Sequence, residues 1–215
     1  MNSQRIHAVD ITARSLKANA RLSLKDQQLR HNMRSAMDSL ISKRLISMPD
    51  EDERENLREL GNKVRARALS QLPDLLEQLE ANLTQQGVQV HWASSTEEAN
   101  AIVLNIAQAH DAKNVIKGKS MVSEEMAMNE YLTAQGIEAL ESDMGEYIIQ
   151  LDNEKPTHII MPAIHKNAEQ VGRLFEHRLA LPYTDDVDSL IQSARGILRE
   201  KFFHADIGIS GVNFA

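Results

Sequence analysis

The chain has no cysteine among its 215 residues. That excludes disulfides, thiolate zinc sites, a cysteine nucleophile and any thiolate-held iron–sulfur cluster within them. No stretch approaches the roughly 18 apolar residues that a membrane-spanning helix needs. The opening MNSQRIHAVD lacks an apolar core, so we expect no secretory leader and a cytoplasmic location. Aromatic residues make up 4% of the chain, and none falls in the first 86 positions. Signature motifs are missing too. There is no GxGxxG, so a nicotinamide dinucleotide is not indicated. There is no HExxH or other compact metal spacing. A Walker loop would need glycine where Lys113 stands.

The net charge of −7 conceals an asymmetry. Residues 1–70 carry 14 lysines and arginines against 9 acids, whereas residues 71–215 carry 10 against 22. A basic arm on an acidic body fits nucleic acid, an acidic partner or the body itself. Without aromatics to stack on bases, nucleic acid is the weakest of these, and we expect no nucleic-acid binding.

Apolar residues at helical spacing predict three or four helices over residues 1–86. Leu57, Leu60 and Val64 are an example, with Asp50 to Glu53 and Pro73 suited to helix starts and Gly87 to a stop. From Gly87 on, strand-like runs alternate with helical ones. VQVHW, NVIKG, IEALE, THIIMP and the closing ADIGISGVNFA read as strands. SEEMAMNEYLTAQG reads as one helix, Asn167 with Gln170 as a capping box, and Thr184 as the cap of a long helix. The alternation implies an α/β fold, with a mainly parallel sheet and helices on both faces. We expect a helical N-terminal arm over 1–86 and an α/β domain over 87–215. The chain stops inside an apolar, glycine-punctuated segment, which suggests a truncated product.

Four clusters carry candidate chemistry. In VIKGKSMVSEE, a strand ends at Lys117-Gly118-Lys119-Ser120, and Ser123 opens a helix. That junction suits a small anion, although the lysines could equally be solvated loop charges. The helix acids Glu124 and Glu125 should face outward or pair with a lysine. In MPAIHK, His165 and Lys166 follow a strand end. His165 is a catalytic candidate whose bland alternative is a hydrogen-bonded structural group, the reading given to His91 and His158. In SDMGEYIIQL, Gly145 suits a turn, and Glu146 can act as a base, orient Lys119 or His165, or be a solvated acid. In GISGVN, Gly208 and Gly211 allow a ligand near the backbone, and Asn213 offers an amide to bind it.

Taken together, KGKSMVSEE, NEYL, SDMGEYIIQL, PTHIIMPAIHK with the following EQV and LF, GISGVNFA, the strand-like VHWA and the helical arm closely resemble the lactate utilization protein B family over essentially the whole chain. The resemblance implies a lactate-utilization (LUD) domain akin to the sugar-isomerase and CoA-transferase fold. It implies a continuation into a ferredoxin-like segment whose cysteines hold two 4Fe-4S clusters. It also implies a role, with lactate utilization proteins A and C, in electron transfer during oxidation of L-lactate to pyruvate. These residues alone, lacking cysteine, are expected to be redox-silent. The fold kinship leaves open acyl-CoA or sugar-phosphate chemistry through Glu146, and a non-catalytic scaffold.

Overall fold

A computed structural model describes residues 13–158 and 161–211. Its first elements are four helices: α1 (Ala13–Ser23), α2 (Gln27–Ser47), α3 (Glu51–Ser70) and α4 (Leu72–Gln85). Asp50 caps α3 by accepting the Glu53 N–H, and three acids in the first turn suit the helix dipole. Pro73 sits in the first turn of α4. Gly87, at φ +82°, ends α4, while the Gly87 and Val88 amides donate to Thr84 and Leu83. Two compact units result. One comprises α1, the first part of α2 and the chain from Thr96 onward, and the other comprises residues 37–95. None of α2, α3 and α4 buries a residue, and Leu57, Leu60 and Val64 are exposed.

Val88–Trp92, expected as a strand, is unpaired chain. Its first amide is spent on closing α4, and the Trp92 indole donates to Glu80 at 3.0 Å. The alternation that follows is α5 (Thr96–Ala109), β1 (Asn114–Lys117), α6 (Met121–Glu125), α7 (Met128–Ala134), β2 (Glu138–Glu141), α8 (Met144–Asp152), α9 (Ala168–Leu179), α10 (Val187–Phe203) and β3 (Ile207–Ile209). The sheet is parallel, in the order β2-β1-β3, so the central strand is the one leading into the KGKS turn. Helices pack around it, which is the α/β class that the alternation implies. Val115 and Ala139 from the sheet join Leu104, Ala107, Met128, Leu132 and Ile137 in one core cluster. Ile148, Leu174, Phe175, Leu190 and Ala194 form a second between α8, α9 and α10.

Several boundaries differ from expectation for local reasons. The single helix expected from SEEMAMNEYL breaks at Ala127, whose φ is +51°, and Asn100 Nδ2 takes up the Met126 carbonyl at 2.9 Å. SDMGEYIIQL is helix rather than turn. Asp143 caps it by accepting the Glu146 N–H, and Gly145 is there for space, since a Cβ would lie 2.9 Å from Pro162 Cγ. Asp186, not Thr184, caps α10, while Thr184 Oγ1 accepts the Asp186 amide. Asn167 and Gln170 do form the capping box of α9. Of THIIMP, Ile159 and Ile160 lie outside the described residues. The two ends form a closed loop in which the Thr157 amide and hydroxyl both donate to the Pro162 carbonyl. Of the closing segment, Ile207–Ile209 is strand and residues 212–215, Asn213 among them, lie outside the described residues.

The outer edge of β2 is closed by a side chain. Gln150 of α8 donates Nε2 to the Ala139 carbonyl at 2.7 Å and accepts the Glu141 amide on Oε1 at 3.1 Å. One amide thus imitates a neighbouring strand and blunts an edge that would otherwise invite pairing. Gln150→Ala leaves both backbone groups without that partner and should cost about 1–3 kcal/mol. A urea midpoint equal to wild type would contradict this role.

Candidate functional site

Register builds the centre of the site. β1 and β2 run parallel with Lys117 opposite Glu141, so both strands end on a charged residue at the same level. The two side chains, 1% and 6% exposed, form an ion pair at 2.7 Å. The ammonium meets the carboxylate too obliquely for an aligned hydrogen bond, so the contact is chiefly Coulombic. Asn129 of α7 donates to the same Glu141 oxygen at 2.6 Å. The Lys117 carbonyl accepts from both the amide and the hydroxyl of Ser142, each at 2.9 Å.

Beyond Lys117 the chain turns over β3. Gly118 donates its amide to the Ile209 carbonyl at 2.7 Å. Lys119 then reaches α8 and forms an ion pair with Glu146, whose side chain is 5% exposed against 26% for the lysine. Ser120 caps the short α6 by accepting the Ser123 amide at 3.3 Å, and the Ser123 hydroxyl returns a bond to the Ser120 carbonyl at 2.9 Å. The expectation of open amides near Ser123 therefore fails for that one, because its own cap occupies it. Gly211 packs on this turn so closely that a Cβ would lie 2.6 Å from Ser120 Cβ and 3.0 Å from the Lys119 carbonyl. Gly208 has open space at its α-carbon.

Glu125 faces outward, as expected, but Glu124 turns inward to the two lysines. Its Oε1 is buried without a hydrogen-bond partner among the described residues, and the Glu146 carboxyl is its neighbour. Burial, then the neighbouring Glu146 carboxylate, push the Glu124 pKa up, while Lys119 and Lys117 oppose the shift. Asn129 Oδ1 and Glu141 Oε2 are likewise buried without hydrogen-bond partners among the described residues. Two lysines and three carboxyl groups, from β1, the KGKS turn, α6, β2 and α8, thus meet at the carboxyl ends of parallel strands. That is where open α/β sheets bind ligands.

His165 and Lys166 lie elsewhere. Their partners are at the far end of α8, with Asp152 six residues beyond Glu146, about 9 Å along the helix axis. His165 bonds through Nε2 to Glu154 at 3.0 Å and through Nδ1 to Thr157 at 2.8 Å. Lys166 bridges Asp152 and Glu154. Asn32 of α2 donates to the His165 carbonyl at 2.6 Å. Burial pulls the Lys166 pKa down, but its two carboxylate partners outweigh that and raise it. The arrangement is a tied-down loop in which His165 has both ring nitrogens occupied. The hydrogen bond from His165, with help from Lys166 and against burial, holds Glu154 below the ordinary 4.5. A lowered carboxylate pKa stabilises the fold above that value, and the contribution fades as pH falls through the folded-state pKa. Wild type should therefore lose more stability than Glu154→Gln between about pH 6 and about pH 3. Equal losses by chemical denaturation would contradict this.

A cleft of about 530 Å³ opens beside β2, lined by Ile137, Ala139, Tyr147, Leu151, Leu179 and Lys201 among others. None of the residues singled out from sequence lines it. Sequence reasoning missed Glu141 and Asn129 as members of the charged cluster. The only available signal was the acid ending IEALE, which becomes a partner for Lys117 once the strands are set side by side.

Residues 76–215 match the LUD domain family. Among curated proteins, Lactate utilization protein B of Bacillus velezensis is 45% identical over 141 residues, taking in 65% of this chain and 30% of the relative. The protein of the same name from Bacillus subtilis is 45% identical over 141 residues, or 29% of its length. That from Bacillus licheniformis is 44% identical over 141 residues. The chain thus matches less than a third of the length of these relatives. No solved structure matches it.

Proposed function

The chain belongs to the LUD domain family, and on that premise we propose that it is the LUD portion of an iron–sulfur electron-transfer subunit supporting oxidation of L-lactate to pyruvate. The observation that carries this reading is the 45% identity, over 141 residues, to proteins named Lactate utilization protein B. Residues 87–215 would form the α/β domain, and the helices within 1–86, with exposed Leu57, Leu60 and Val64, would dock partners, with lactate utilization proteins A and C the candidates. The residues present do not fit a thiolate-held cluster. The chain has no cysteine, and no group of three or more His, Asp or Glu among the described residues could hold a metal ion. The two 4Fe-4S clusters of this proposal therefore belong to cysteines outside these 215 residues, and no electron step is assigned to any residue here.

Within the domain, the ligand role falls to Lys119 and Glu146, backed by Lys117, Gly118 and the Ser120–Ser123 turn that Gly211 packs against. His165 and Lys166 anchor the loop behind them. The alternative of acyl-CoA or sugar-phosphate chemistry draws on the same buried Glu146, which pairs with the partly exposed Lys119. Deleting the gene tests the main reading. Growth on L-lactate should be lost while growth on pyruvate persists, and the full-length gene should restore it. Unchanged growth on L-lactate would overturn it.

A further inference from the structure

Gln150 covers only part of the β2 edge. In a parallel ladder, alternate residues of a strand aim both backbone groups at one neighbour, and the residues between them aim theirs the other way. The Glu138 and Ser142 amides donate to the Lys113 and Lys117 carbonyls, so the even-numbered residues of β2 face β1, and Ile137, Ala139 and Glu141 face outward. Each outward residue has one group engaged. The Ile137 amide closes α7 on the Leu132 carbonyl, and Gln150 takes the Ala139 carbonyl and the Glu141 amide. The Ala139 amide and the Ile137 carbonyl are left without partners among the described residues, although these residues are only 6% and 5% exposed. A buried backbone N–H without a partner is rare in folded proteins. Both residues line the cleft of about 530 Å³, together with Tyr147, Leu151 and Leu179.

We propose that this cleft docks a short, uncharged, extended segment of a partner protein, added parallel to β2 in a single register. The free groups decide the direction. Antiparallel addition makes its paired bonds to one residue with both N–H and C=O free, and none of the three outward residues has both. Parallel addition needs the carbonyl of one residue and the amide of the residue two further on, which Ile137 and Ala139 supply. One partner residue, opposite Glu138, would give its N–H to the Ile137 carbonyl and accept the Ala139 amide on its own carbonyl. The segment is short because the Gln150 side chain fills the edge beyond Ala139. It is uncharged because Glu138 and Lys201 at the cleft already pair with each other at 3.5 Å, and Ile137, Leu151 and Leu179 form apolar walls. This inference goes beyond the lactate reading and does not depend on it.

Amide hydrogen exchange of the isotope-labelled 215-residue chain, followed by NMR with and without acetyl-Val-Ile-Val-amide, tests it. Peptide at about ten times its dissociation constant should slow exchange at Ala139 about tenfold, whereas Leu140, already in the ladder, should be slow with or without it. The same peptide with its three residue nitrogens methylated cannot donate to Ile137 and should bind at least about tenfold more weakly. Ala139→Pro removes the free donor and puts a ring in the cleft. That N–H takes no part in the ladder, and proline is tolerated at such edge positions, so the variant should fold and fail to bind. Thr133→Trp narrows the cleft from an exposed position on α7 and should weaken binding about tenfold. If Ala139→Pro does not fold, Thr133→Trp and the wild-type exchange decide. No slowing at Ala139 with millimolar peptide, equal binding of the methylated peptide, or either folded variant binding as wild type does would overturn the proposal. So would protection of Ala139 in the chain alone that grows with protein concentration, because a second copy would then be the occupant.

Discussion

Lys117→Met should cost about 3–5 kcal/mol of folding stability, because it strands a buried carboxylate. Lys117 and Glu141 are almost wholly enclosed, and each is the main charge partner of the other. Their attraction need not exceed the cost of removing both from water, so the pair is weak proof of stability. Breaking it from one side is different, since Glu141 must then stay charged in a poor solvent or take up a proton. Replacing both, as in Lys117→Met with Glu141→Leu, should recover much of the loss, leaving the Asn129 amide as the new unpaired group. Urea denaturation of the two single variants and the double variant measures this. A single variant within about 1 kcal/mol of wild type would mean that the pair is solvated, contrary to its geometry.

Gly172→Ala should be the most damaging alanine substitution at a described glycine. A Cβ on Gly172 in α9 would lie 2.0 Å from the Thr184 carbonyl oxygen and 3.1 Å from its carbon. The obstacle is backbone, so no side-chain rotation relieves it, and the segment leading into α10 must move. Overpacking typically costs about 1–3 kcal/mol, and a clash with main chain belongs at or above the top of that range. Gly196 in α10 supplies the contrast. A methyl group there would meet nothing within 4 Å, and alanine is favoured over glycine in a helix interior by about 1 kcal/mol. Thermal melts should therefore show Gly172→Ala well below wild type and Gly196→Ala at or above it. The opposite order would contradict the packing of α9.

What is legible in the sequence is what is decided locally. Asn114–Lys117 and Glu138–Glu141 are legible as strands because apolar residues fill them and turn residues bound them. The Asn167–Gln170 box is legible because a cap acts over three residues. Val88–Trp92 carries the same apolar alternation as a strand, but pairing is a property of neighbours, and its first amide goes to the end of α4. Gly145 misleads because one residue type serves two needs: the sequence suggests a turn, and the actual use is clearance for Pro162. Lys117, Lys119 and Glu146 are recognisable as polar groups near strand ends. Glu141 is not, because its partnership with Lys117 spans 24 positions and exists only through register. Glu124 is expected to point outward or pair with a lysine, and its place beside Glu146, Lys119 and Lys117 exists only once α6, α8 and β1 are brought together. His165 and Lys166 group with the lysine turn on sequence because both follow strand-like runs, yet the length of α8 separates the two clusters.

Ligand chemistry, on this reading, belongs to the cluster at the end of β1 and not to the loop around His165. Two-dimensional NMR of the uniformly labelled chain, titrated with L-lactate, tests that most directly. The largest shifts should fall on Lys119, Glu124 and Glu146 and their immediate neighbours. Shifts centred on Thr157, His165 and Lys166, or none at saturating ligand, would contradict it.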